Sequence, residues 1–80
     1  MEINDIVVLE NEERYTLLEE AVENAEKYFL AAEISVDEEI NYKKLVLLKV
    51  TREEDGDYVE LVTNHDLIKK LSNKIIENKN

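Results

Sequence analysis

RYTLLEEAVENAEKYFLAAEISV, residues 14–36, reads in two ways, and the two ways build different domains. At helical spacing Leu18, Val22, Ala25, Phe29 and Ala32 form one stripe, with Glu19, Glu20, Glu23, Glu26 and Lys27 outside it. That reading gives one helix from Glu12 to Glu33. Taken with a period of two, Tyr28, Leu30, Ala32, Ile34 and Val36 share a side. Two strands, Arg14 to Glu23 and Lys27 to Val36, then turn at Asn24-Ala25-Glu26. Periodicity alone leaves both open.

The chain on either side is easier to read. Downstream, Lys44 to Arg52 places Val46, Leu48 and Val50 on one face, passes through Glu53-Glu54-Asp55-Gly56, and returns as the strand Asp57 to Val62. Asp55 tolerates a positive φ and Gly56 is the only glycine, so this segment predicts a tight hairpin. A helix from Asn64 to Asn78 follows, capped by Thr63 accepting from the Asp66 amide, with Val62 and Leu67 as a hydrophobic staple. Leu67, Ile68, Leu71 and Ile75 make its apolar face, and Lys69, Lys70 and Lys74 face water. Upstream, Ile3 to Leu9 reads as a β-branched strand ending at Asn11, Glu12 and Glu13. Asp37-Glu38-Glu39, then Ile40, Asn41 and Tyr42, is the least patterned stretch and reads as a loop.

These pieces resemble the YrzB-like family of small acidic bacterial proteins, a domain of unknown function, over roughly residues 3–76. The resemblance lies in Ile6 to Glu13, Tyr15 to Glu19, Asn24-Ala25-Glu26-Lys27-Tyr28, Leu45 to Val50, Glu53 to Asp57, and Leu61 to Leu71. It implies a β-hairpin for the middle segment, with Ala25 where the family pattern has Gly. It implies no activity, ligand or catalytic residue. The expected fold is therefore a single α+β domain over residues 1–80: a mostly antiparallel sheet of four or five strands with the C-terminal helix on one face. The alternative is β-α-β-β-α, with the helix at 12–33.

Eighty residues make one domain that buries only about 60% of its unfolded surface, with little room for a substrate cleft. Cysteine is absent, so packing must supply the stability. Twenty acids against ten Lys and Arg give a net charge of −10, which repels phosphate backbones and anionic membranes. Direct nucleic-acid binding is not expected. Residues 1–10 lack the basic and apolar regions of a signal peptide, and no run approaches a membrane span, so a cytoplasmic protein is the expectation. The acids are unevenly spread. Residues 64–80 hold four Lys against Asp66 and Glu77, which suits a basic helix docked on its own acidic sheet.

No residue set rises to a catalytic constellation. His65 stands alone at a helix start, and neither Ser35 nor Ser72 has a nucleophile setting. Glu53, Glu54, Asp55 and Asp57 crowd one turn but lack the alternating ligand spacing of a calcium loop. No enzyme activity, cofactor or metal is expected. The candidate partner-binding residues are Tyr42, as an aromatic anchor, and the acids Glu53, Glu54, Asp55 and Asp57. Leu45, Leu47, Val59 and Leu61 are expected to leave apolar surface for a homodimer or a partner. The expected function is a non-enzymatic acidic adaptor or regulator that binds another protein, a basic one where charge decides the partner. The alternative is a nucleic-acid mimic that occupies the groove of a basic DNA- or RNA-handling protein.

Overall fold

The computed structural model describes residues 1–77. Five strands, β1 (Ile6–Val8), β2 (Arg14–Glu23), β3 (Glu26–Ile34), β4 (Ile40–Glu53) and β5 (Gly56–Leu61), precede one helix, α1 (His65–Glu77). The sheet is a meander in chain order, antiparallel at every junction. The α+β reading with a C-terminal helix holds, and residues 14–36 form two strands. The expected helix end at Asn78 lies outside the described residues.

The helical look of the middle segment has a local cause. The pairing of β2 with β3 slips between Leu17 and Glu19, so Leu18 is an extra residue in the ladder. Before the bulge Tyr15 and Leu17 face one side of the sheet, and after it Ala21 faces the other. The phase change breaks the period of two. In β3, moreover, both sides are buried, so Tyr28, Phe29, Ala31 and Ala32 alternate in direction but not in polarity.

The two sides of the sheet hold separate cores. On one, Tyr15, Leu17, Phe29, Ala31 and Leu48 pack together, joined by Val7 and Leu9 from the first edge and Val59 from the last. A single cluster touching both edges means that the sheet curls over this side, bringing β1 and β5 towards each other. Burying a side chain such as Phe29 or Leu48 here is worth about 1.5–3 kcal/mol. On the other side Ala21, Tyr28 and Leu47 are covered by Leu71 and Ile75 of α1, with Leu67, Ile68 and Val62 around them. Lys70 and Lys74 reach Glu23 of β2 at 3.0 and 3.7 Å, and Lys74 also donates to the Val22 carbonyl. The basic helix is thus fastened to an acid of its own sheet.

Several boundaries differ from the sequence reading. Glu2 to Asp5 is a turn, closed by the Asp5 amide donating to the Glu2 carbonyl at 3.1 Å, so the first strand begins at Ile6 rather than Ile3. β4 starts at Ile40, inside the stretch read as a loop; its register jumps from Ala32↔Leu45 to Glu33↔Asn41, which leaves Tyr42, Lys43 and Lys44 in a wide bulge. The helix cap is Asn64, not Thr63: its Oδ1 accepts from the Leu67 amide at 3.1 Å, and its carbonyl from the Ile68 amide. In the β4–β5 hairpin Glu53 pairs with Gly56, so the turn residues are Glu54 and Asp55. Positive φ falls on Gly56 alone there, at 142°.

Left-handed backbone elsewhere is supplied without glycine. Asn4, Glu12, Asn24, Ala25 and Glu38 all have φ between 52° and 78°. Asn24 and Ala25 are the two central residues of the β2–β3 turn, where positive φ at both positions matches the twist of the flanking strands. Glu12 and Glu38 play the same part in two look-alike turns. In each, the Glu amide donates to a carbonyl three residues back, Leu9 or Ser35, and that residue's amide donates to the residue after the Glu.

Candidate functional site

Tyr42 and the acidic hairpin do not form one site. Tyr42 lies in the bulge near the start of β4 and is 65% exposed, whereas Glu53 to Asp57 lie at the far end of that 14-residue strand. Within the hairpin, Asp55 accepts from the Tyr58 hydroxyl at 2.7 Å, and Asp57 pairs with Arg52 at 3.3 Å. The Asp55 contact raises the Tyr58 pKa. Glu53 and Glu54 project from the turn as exposed carboxylates. Among the described residues no group of three or more His, Asp or Glu side chains converges as a metal site would require. His65 is exposed at the first turn of α1.

The four leucines and valines expected to share an apolar surface are divided between the two sides. Leu47 is buried beneath α1. Val59 lies opposite Val50 and packs into the curled side, whereas Leu61, at the end of β5, lines the groove beside α1 together with Leu45 and Leu47. Leu45 and Leu61 are the two that stay open, at 48% and 46% exposure. Leu45 stands beside a groove of about 400 Å³ between α1 and the sheet, floored by Leu30 and Leu47 and walled by Ile68 and Ile75.

The more informative opening is the seam between the two edges of the sheet. A cleft of about 520 Å³ is lined on one side by Val7, Val8 and Leu9 and on the other by Tyr58, Val59 and Glu60. A smaller opening continues it past Glu10 and Leu61. Its floor is the apolar cluster of the curled side, and its rim carries Glu10, Glu53, Asp57 and Glu60. β1 and β5 are each hydrogen-bonded to one neighbour only, β2 and β4. The reading of residue types missed this site because nothing in Val7, Leu9 or Val59 looks functional. The available signal was topological: an open meander leaves two edges, and with an odd number of antiparallel strands those edges run the same way.

Carboxylates elsewhere are drawn into pairs. Lys44 Nζ bridges Glu13 at 2.7 Å and Glu33 at 2.8 Å, tying the β1–β2 turn to β3 across the bulge. That hydrogen bond is the main reason the Glu13 carboxyl titrates below the usual range, and the two carboxylates raise the Lys44 ammonium. Glu23 is lowered chiefly by Lys70, and Glu26 by the Tyr28 hydroxyl and then Lys49. Burial, first, and the neighbouring carboxylates raise the Tyr15 and Tyr28 phenols. These groups serve structure: each joins two elements or orients a tyrosine at the edge of a core.

Comparison with protein-family models, with curated proteins and with solved structures gives no match. Among the described residues no helix is long and apolar enough to cross a membrane.

Proposed function

We propose that this chain is a non-enzymatic protein-interaction module, an acidic adaptor or regulator acting in the cytoplasm of a bacterium. The observation that carries the reading is the seam: an apolar floor between two strand edges, rimmed by carboxylates, on a chain of net charge −10. Such a surface steers a basic partner and then offers it an apolar contact. The resemblance to YrzB-like proteins belongs to this proposal and adds no activity to it. Self-association is a second form of the same reading, motivated by the exposed Leu45 and Leu61.

Nucleic-acid mimicry is less well supported, because it needs rows of free carboxylates. Glu13, Glu20 and Glu23 are each held by a lysine of the same chain.

The test is a tagged pull-down from a lysate of the source organism, washed at low and at high salt. A partner retained at high salt supports an adaptor with an apolar contact. A single basic nucleic-acid-handling protein that is released by salt supports the mimic instead. Recovery of the bait alone, at either salt, counts against both and leaves self-association.

A further inference from the structure

We propose that the seam takes an extended basic segment of another protein as a sixth strand, antiparallel to β1 and to β5 at once. The inference rests on the interaction-module reading and specifies its surface. Strand direction is the first argument. In a five-stranded antiparallel meander the first and last strands run the same way, so β1 and β5 present parallel edges to one another. One further strand running the opposite way is antiparallel to both, and it closes the curled sheet into an even-numbered barrel.

The edges have the hydrogen-bonding groups to receive it. Along β1, Asp5 accepts from the Leu17 amide at 2.9 Å and Leu9 donates to the Glu13 carbonyl at 2.9 Å. Alternation then directs Val7 towards β2 and turns the amides and carbonyls of Ile6 and Val8 into the seam. Along β5, Val62 donates to the Leu47 carbonyl at 2.9 Å. Stepping back by twos assigns Glu60 and Tyr58 to β4 and leaves Asp57, Val59 and Leu61 facing the seam. β1 and β5 contain neither lysine nor proline, and the charges that guard the longer edge, Asp57 and Glu60, repel an acidic strand but not a basic one.

Side chains and charge select the occupant. Alternate residues of an added strand enter above Val7, Leu9 and Val59, which demands apolar groups. The residues between them pass Glu60 and the rim acids Glu10 and Glu53, which demands Lys or Arg. A second copy of this chain brings the wrong charge, since its own edges carry Asp57 and Glu60. The fitting partner is therefore an extended segment with alternating apolar and basic residues.

The experiment titrates the ¹⁵N-labelled full chain with a blocked nonapeptide of alternating Lys and Val, and follows amide hydrogen exchange. Slowing of exchange by tenfold or more at Ile6, Val8, Asp57, Val59 and Leu61, with α1 unchanged, is expected. The same peptide N-methylated at every second amide should fail to bind. Val8→Pro removes a seam donor at an exposed position without touching the β1–β2 ladder, and should weaken binding about tenfold, as one lost hydrogen bond of about 1.4 kcal/mol does. Glu60→Lys should weaken it by a similar factor, and more at low salt. Circular dichroism confirms that both variants fold. Absence of binding, equal binding of the methylated peptide, or binding that leaves the edge amides unprotected would each overturn the proposal. So would a dimer that protects the same amides without peptide. A pull-down that keeps a partner while the edge amides stay unprotected removes the seam and leaves the interaction-module reading standing.

Discussion

The two sides of the sheet are closed by different means. On the curled side the strands close over themselves, and residues from all five meet around Phe29 and Leu48. On the other side a helix is laid across Ala21, Tyr28 and Leu47 and fastened by two lysines to one glutamate. The first core is therefore the property of the whole sheet, and the second belongs to a detachable element. The difference separates two kinds of stability: one that must be lost all at once, and one that can open locally.

Phe29→Ala should expose the contrast most strongly. The ring is fully buried at the centre of the curled side, and its loss costs about 3–5 kcal/mol, a large share of the 5–15 kcal/mol typical of a domain. Urea titration followed by circular dichroism should show the midpoint falling steeply, with all five strands losing exchange protection together. Leu71→Ala should cost about 2–4 kcal/mol, but in a different pattern. Amides of residues 65–77 should exchange first while those of Phe29 and Leu48 stay protected. If helix and sheet lose protection at the same denaturant concentration in that variant, the two cores are one cooperative unit and the contrast fails.

Turns give a smaller and signed version of the test. Ala25 sits at φ 65°, where an L-residue is strained by about 1–2 kcal/mol, and glycine recovers this less the entropy it loses on folding. Ala25→Gly should stabilise by about 0.5–1 kcal/mol and raise the Tm by about 4 °C. The reverse change, Gly56→Ala, should destabilise by about 1 kcal/mol. An added Cβ meets nothing within 4 Å there, so its only cost is the φ of 142°. Thermal melts of the two variants should move in opposite directions.

Much of this fold was legible because its signals are local. The hairpin around Gly56 and the apolar stripe Leu67, Ile68, Leu71 and Ile75 both follow from short-range patterns. What stayed ambiguous was the segment where a bulged Leu18 changes the phase of alternation, and a bulge has no residue-type signature. The wide bulge at Tyr42 to Lys44 was missed for the same reason, which is why β4 begins four residues earlier than its alternation suggests. The cap moved by one residue because Thr63 and Asn64 are both good capping residues and only the geometry chooses between them. The seam was least legible. It is made by curvature that brings Val7 and Val59, far apart in sequence, to one cleft.

The smallest expected effect comes from charge, and it too divides by side. Glu13 is lowered by Lys44 on the curled side, and Glu23 by Lys70 and Lys74 beneath the helix. For a carboxyl whose folded pKa lies below its unfolded value of about 4.5, the unfolded chain binds the extra proton in the window between them. The stabilisation is thus complete above that window and is lost as pH falls through it. The lysines of both pairs are exposed to solvent, which screens each contribution and more so as salt rises. Lys44→Met should flatten the acid limb of whole-domain thermal stability below about pH 4.5, whereas Lys70→Met should flatten only the acid dependence of helix opening, read by exchange at residues 65–77. General repulsion among the remaining acids also relaxes on protonation, but each variant alters that background in the same way, by removing one positive charge. The difference between the two therefore reports which side of the sheet each pair fastens. An equal flattening of both limbs in both variants would mean that helix and sheet respond to acid as one.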